Sequence, residues 1–228
     1  MLWILASLTF TWLAFRELRA SMTPRRGYAV TRPAYKPYLF LCLTLALLFA
    51  WPPVKYWRFE RMLSNKASEL ADNRPAEAHC NTITDTMLDN QQLAAGHANF
   101  DTGKIVFQYG WCARLMDYLD DPQHASREDF FALHMLTHES MHVRGERDEA
   151  KTECQAVQRN YRAAKMLGVA DDLARKHALD FYLHSYLSRR DQGQMSLQYF
   201  SVQCAPGKAL DEALNDSTWI PLYEAGDY

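Results

Sequence analysis

Between residues 138 and 154 the chain reads HESMHVRGERDEAKTEC, with His138 and His142 four apart and Glu139 beside the first. On a helix, that spacing stacks both imidazoles on one face a single turn apart, close enough to share one metal ion. Glu139, offset by one residue, is off that line but can reach a water beside the histidines, where a general base belongs. Chance supplies roughly 0.01 matches to HExxH in a chain of this length and composition, so coincidence explains the pattern poorly.

Two histidines need a third protein ligand and an open position if the ion is zinc. Gly145 should break the helix, and a second helix begins a few residues on, so the two are expected to form a tight antiparallel hairpin. With the turn between Gly145 and Glu146, His142 faces Glu149 and His138 faces Glu153. Glu149 is the expected third ligand. Glu153 is expected to accept a hydrogen bond from the far nitrogen of a liganding histidine, fixing its tautomer. Glu146 falls in the turn and is expected to be solvated. The plainer reading of Glu149 is an acid favoured by the helix dipole in a first turn.

This stretch resembles the zincin metallopeptidases, and within them the short-hairpin gluzincins, in which HExxH is followed by a helix carrying E-x-x-x-D or E-x-x-x-E. Glu149-Ala-Lys-Thr-Glu153 fits that second element. The resemblance covers about residues 100 to 167. It implies Zn2+ as cofactor, peptide or protein as substrate, Glu139 as catalytic base, and an edge strand that aligns an extended peptide, a place Lys104 to Tyr109 could fill. A competing resemblance is to a metzincin variant, HExxHxxGxxD, which would make Asp148 the alternative third ligand. Asp148 also suits the N-cap of the second helix.

The surrounding elements must hold this site. Ser126 and Asp129 form a capping-box pattern opening a helix from Arg127 to Arg144. Apolar residues on several of its faces, among them Phe130, Leu133, Leu136 and Met141, make it the expected centre of the domain. Further helices are expected over about Asp148–Leu167 and Asp171–Arg189, with shorter ones over 81–93 and 111–119. Lys104 to Tyr109 alternates as a strand does. The tail from Gln194 reads as mostly irregular, with a short helix near 208–214. His134, one turn before His138, is expected to pack or hydrogen-bond nearby. His177, His184, Tyr182 and Tyr186 are candidates to stabilise an oxyanion, each weighed against a structural role. The fold class is mainly α with a small strand element, a zincin-like α+β, behind N-terminal transmembrane helices.

Two N-terminal blocks, residues 1–15 and 37–54, hold no charged side chain. A membrane-crossing helix needs about 20 apolar residues, with roughly 17 as the lower limit. The second block qualifies and the first is marginal, with a signal peptide as its rival. The loop between them, 16–36, carries six basic residues against Glu17, which places it in the cytoplasm and the rest outside. The expected organisation is therefore a membrane anchor over 1–54, a juxtamembrane helix and linker over 55–78, with Tyr56 and Trp57 as interfacial aromatics, and a metallopeptidase domain over 79–228.

Residues 1–62 carry 9 Lys and Arg against 2 Asp and Glu, whereas residues 63–228 carry 16 against 25. An acidic main domain excludes nucleic acid as a partner, which needs a basic face. Cys42 lies in the second apolar block. Cys80, Cys112, Cys154 and Cys204 lie in the acidic domain and are expected to form two disulfides, with three pairings open. The expected location is the cell membrane, with the catalytic domain on its extracytoplasmic side. The alternative function is a non-catalytic membrane-tethered interaction or sensor module with a structural or vestigial metal site.

Overall fold

The computed structural model describes residues 2–23 and 33–225. It divides into two compact units, Met1–Phe59 and Glu60–Tyr228. Residues 24–32, the middle of the expected basic loop, lie outside the described residues.

The first unit holds α1 (Leu2–Met22) and the first part of α2 (Lys36–Leu70). They meet through small residues: Ala14, Cys42 and Ala46 are buried, and the Ser7 hydroxyl donates to the Ala46 carbonyl at 2.9 Å. Phe10 stacks on Phe49 at 5.6 Å between ring centroids. Outward-facing side chains such as Leu5, Leu8, Leu41, Leu47 and Leu48 are exposed. Small residues and the Phe10–Phe49 pair thus form the contact, and large apolar side chains lie outside it. Among the described residues, α2 is the one helix long and apolar enough to cross a bilayer. The span expected over residues 1–15 does not meet that test: α1 is helical but runs on through Arg16, Glu17 and Arg19, residues expected in the loop, because nothing breaks the helix before Pro24.

The second unit begins with the last turns of α2, where Leu63, Ala67 and Leu70 are buried. A three-stranded sheet follows, built from β1 (Glu77–Cys80), β2 (Gly96–Ala98) and β3 (Lys104–Phe107) in the order β1-β3-β2, with α3 (Ile83–Leu88) between the first two. β1 runs parallel to β3 and β2 antiparallel to it. The strand expected over Lys104–Tyr109 is thus the central one and ends at Phe107. It cannot be the edge that aligns a peptide, because both its edges are taken.

The outer edge of β1 is closed as well. Ser68, Ser64 and Glu60, four residues apart on α2, accept in turn from the backbone N–H groups of Ala76 (2.8 Å), Ala78 (2.9 Å) and Cys80 (2.8 Å). The helix period of 3.6 matches every second residue of the strand closely enough for one helical stripe to satisfy a strand edge. The outer edge of β2 remains.

Helices α4 (Trp111–Asp120), α5 (Arg127–Arg144), α6 (Glu149–Met166) and α7 (Asp171–Phe181) complete the core. α5 is buried almost all round and packs on the sheet, on α4 and on α6. Its capping box forms as the pattern implies: Asp129 N–H donates to Ser126 Oγ, and Ser126 N–H to Asp129 Oδ2. At the other end Gly145 takes φ +116°, a left-handed conformation that favours glycine, and the chain reverses into α6. Gly96 is required by proximity: a Cβ there would stand 2.9 Å from the Met135 side chain and from the Val106 carbonyl. β2 could not otherwise lie this close to α5.

The third long helix ends as an α-helix at Phe181, short of the expected Arg189. The chain continues in a π-helical turn (Tyr182–Tyr186) and a 3-10 turn (Leu187–Asp191), then α8 (Gln194–Leu197) and α9 (Ile220–Ala225); residues 208–214 are not helical. Two disulfides pin this unit. Cys80–Cys112 ties β1 to α4, and Cys154–Cys204 ties the tail to α6. The tail is also held by Gln158, whose side chain donates to the Leu210 carbonyl (2.9 Å) and accepts from Glu212 N–H (2.8 Å).

With bridged cysteines 32 and 50 residues apart, each disulfide removes unfolded-state freedom worth about 4 kcal/mol in the chain-entropy picture. Replacing Cys154 and Cys204 together by Ala is expected to lower stability by about that amount, read as a drop in the denaturant midpoint of the detergent-solubilised chain. An unchanged midpoint would show that the tail is not held by this bridge.

Candidate metal centre

α5 presents His138 and His142 on one face, and the reversal at Gly145 brings Glu149, at the start of α6, against them. The two Nε2 atoms are 3.1 Å apart, and Glu149 Oε2 lies 3.3 Å from one and 3.5 Å from the other. A tetrahedral zinc with ligand bonds of about 2.05 Å needs donor separations of about 3.35 Å. The donor triangle therefore fits such an ion, and these three residues could hold a metal. His134, His138 and Glu153 form a second converging group, in which both carboxylate oxygens already accept from imidazoles, Oε1 from His134 Nε2 and Oε2 from His138 Nδ1.

The far nitrogens are fixed. His138 Nδ1 donates to Glu153 Oε2 at 2.8 Å, and His142 Nδ1 donates to the Glu146 carbonyl at 2.9 Å. Each bond sets the tautomer that leaves the Nε2 lone pair facing the shared point. The turn residue Glu146, expected to be merely solvated, orients a histidine through its backbone. Its side chain accepts from the N–H groups of Arg147 and Asp148.

Glu153 is 2 % exposed. Its other oxygen accepts from His134 Nε2 at 2.9 Å, and Arg189 closes on it from the 3-10 turn. Burial alone would raise its pKa, but His134, His138 and Arg189 hold the carboxyl well below the usual range. His134 is thus part of this support, with its imidazole pKa lowered by burial. Asp148 stands apart. It is the N-cap of α6, its Oδ1 accepts from Lys151 N–H at 2.9 Å, and it belongs to neither converging group.

Glu139 is 6 % exposed, and its Oε2 is buried without a hydrogen-bond partner. An orphaned carboxylate oxygen beside a candidate metal point is where a water or substrate proton would be received. Burial raises its pKa, against the pull of His138 and His142.

A cavity of about 440 Å³ opens beside His138 and Glu139, lined by Gly96 of β2, by Ala94 and Ala95 just before it, and by Phe131, Met135 and Tyr199. The Tyr199 ring lies 6.0 Å from the His138 ring. The oxyanion candidates read from the sequence are elsewhere. Tyr182 reaches the Cys204 carbonyl, Tyr186 the backbone of Ser201, and His177 packs on Tyr118 and Phe130. His184 pairs with Asp180 at the surface. Arg189 and Tyr199 line the cavity instead. Sequence reading missed both, and the one signal available was Cys204: its pairing with Cys154, next to Glu153, folds residues 194–204 back over the site. A larger cavity, of about 830 Å³, lies on the outer face of the sheet around His79 and His97.

The electrostatics ask for a cation. Although burial opposes its charge, Glu149 and Glu153 raise the His138 pKa to about 10. Hydrogen bonds from His138 and His142 lower that of Glu149 to about 2. In the metal-free protein, a raised His138 contributes stability present in full below its ordinary value near 6.5 and lost as pH climbs towards 10. A lowered Glu149 contributes stability present above its ordinary value near 4.5 and lost as pH falls towards 2. The metal-free melting temperature is therefore expected to peak between these ordinary values and to fall on raising the pH from 7 to 10. Bound metal, which needs the neutral imidazole, should remove His138's share of the alkaline loss. An alkaline decline identical in His138→Gln would remove His138 as its cause.

Glu153→Gln keeps the shape of the side chain but not its charge, and is expected to weaken metal binding about 10- to 100-fold in competition with a chromogenic chelator. Unchanged affinity would reduce Glu153 to a packing role.

No family model, curated protein or solved structure matches this chain, so the side-chain geometry alone carries the functional reading.

Proposed function

We propose that this protein is a membrane-anchored, zinc-dependent metallopeptidase of the zincin type, with its catalytic domain on the extracytoplasmic side. The observation that carries the reading is the convergence of His138 Nε2, His142 Nε2 and Glu149 Oε2 on one point, with the unpartnered Oε2 of Glu139 buried beside it. The anchor is α2, and the two disulfides suit an oxidising compartment.

His138, His142 and Glu149 would hold the ion, and zinc suits this nitrogen and oxygen donor set. When bound, a zinc ion supplies a Lewis acid that brings the pKa of a coordinated water near 7. Glu139 Oε2 takes a proton from the water that attacks the peptide carbonyl carbon. Glu139 then returns that proton to the leaving amine nitrogen as the C–N bond breaks. Tyr199, its phenol pKa raised by burial, stays protonated at neutral pH and can donate to the oxygen that gains charge.

Substrate alignment falls to β2. His97 is paired with Val106 of β3, so Gly96 and Ala98 turn their backbone groups to the open edge, and Gly96 lines the cavity at His138 and Glu139. An extended peptide can add to this edge as a further strand, its carbonyls passing over the site. β2 takes the role that the sequence reading assigned to Lys104–Tyr109.

Glu139→Gln is expected to retain one equivalent of zinc, by elemental analysis of the purified full-length protein, and to lose hydrolysis of a peptide library. His142→Ala should lose the metal. Full activity in Glu139→Gln would sink the mechanism. One equivalent of zinc with no turnover in the wild type would favour the non-catalytic sensor or interaction module.

A further inference from the structure

The turn between α5 and α6 sets three acids around one cation, in the order Glu146, Arg147, Asp148, Glu149. Each carboxylate is engaged elsewhere. Glu146 accepts from the backbone N–H groups of Arg147 (2.9 Å) and Asp148 (3.0 Å), Asp148 from that of Lys151 (2.9 Å), and Glu149 faces the histidine pair. Arg147 is exposed, and among the described residues no carboxylate pairs with it. Its guanidinium lies over the Phe100 ring, 5.4 Å from the centroid. Phe100 in turn meets the His142 imidazole edge-on, with 5.1 Å between centroids.

A guanidinium stacked on an aromatic face is held in orientation while its N–H fork remains open to a planar anion. The two contacts put the Arg147 guanidinium no more than about three residues of extended chain from the His142 imidazole, at roughly 3.5 Å per residue. Phe100 follows β2 by two positions, so a peptide added to the β2 edge extends towards this cation. On the cavity side, the nearby cation, Arg189, is already bound to Glu153, and Phe131 and Met135 supply an apolar lining.

We infer that Arg147, stacked on Phe100, anchors a carboxylate of the substrate on the His142 side of the site, making peptides with an acidic side chain or a free C-terminus there the preferred class. This rests on the peptidase reading above. The carboxylate would meet the guanidinium in a two-pronged, charge-assisted pair. Because no carboxylate among the described residues pairs with Arg147, binding breaks no ion pair there and leaves the stacking on Phe100 in place.

The test uses the full-length, zinc-loaded protein in detergent and matched extended peptides with Asp, Asn or Lys at the position in question, each with a free or amidated C-terminus. The wild type is expected to prefer the Asp or free-acid peptide over its neutral partner by about 10- to 100-fold in kcat/KM. Arg147→Ala should abolish that preference, and Arg147→Glu should turn it towards Lys, each read as the ratio of kcat/KM between matched peptides on the same variant. Dependence on Asp identifies a side-chain carboxylate, and dependence on the free C-terminus a terminal one. Hydrolysis with an acid preference untouched by Arg147→Glu overturns the inference and leaves the peptidase reading intact. Without hydrolysis, the same peptides are titrated for binding: an Arg147-dependent preference for acid upholds the anchor while the peptidase reading falls. No such preference overturns both.

Discussion

A carboxylate in the middle of a helical core must be compensated from within the protein, and much of the second unit converges on doing this for Glu153. An uncompensated buried charge costs several kcal/mol, and three groups answer this one: His138 and His134 from α5, and Arg189 from the turn after α7. Each fixes a different part of the fold. The two histidines set the register of α5 against α6 to within one residue, since a slip would leave the charge unpaired. Arg189 draws the chain after Phe181 across the site, away from the straight path of an α-helix. Cys154, the next residue along α6, carries the disulfide that brings the tail to the same place.

The sheet obeys a second constraint, the disposal of its edges. Three short strands have two outer edges, and an open edge invites pairing with another chain. β1 is closed by the stripe of Glu60, Ser64 and Ser68 on α2. β2 is left open and is held against α5 by the absence of a side chain at Gly96. The open edge is thus the one beside His138 and Glu139.

What was legible in the sequence follows from these constraints. The α5–α6 hairpin was readable to within a residue or two, because its signals are local: a capping box at Ser126, a left-handed glycine at 145, an N-cap at Asp148. Facing positions across a tight hairpin then bring Glu149 and Glu153 to the histidines by counting alone. β1 and β2 were not readable. EAHC and GHA are three or four residues long, carry little β-propensity, and are strands because β3 and α2 offer partners. The π-helical and 3-10 turns after Phe181, and the approach of Arg189 and Tyr199, depend on contacts with α6 and with Cys204 that no local pattern encodes. Glu60, Ser64 and Ser68 do share a spacing of four, but such a stripe on a helix does not encode that a strand edge lies against it.

The charges at the centre also bear on what occupies it. Glu139, Glu149 and Glu153 surround two imidazoles, and without a metal, although burial opposes it, hydrogen bonds to Glu149 raise the pKa of both. A proton on Nε2 of His138, however, faces two acceptors, Nε2 of His142 at 3.1 Å and Oε2 of Glu149 at 3.3 Å, and takes up the lone pair of the third converging atom. A divalent cation satisfies all three and leaves both imidazoles neutral, with their Nδ1 hydrogens still donated to Glu153 and to the Glu146 carbonyl. The Nδ1 partners are therefore compatible with either occupant, while the three-donor triangle is fully used by one of them. The three converging atoms, with Glu139 Oε2 unpartnered at their side, could hold a metal ion.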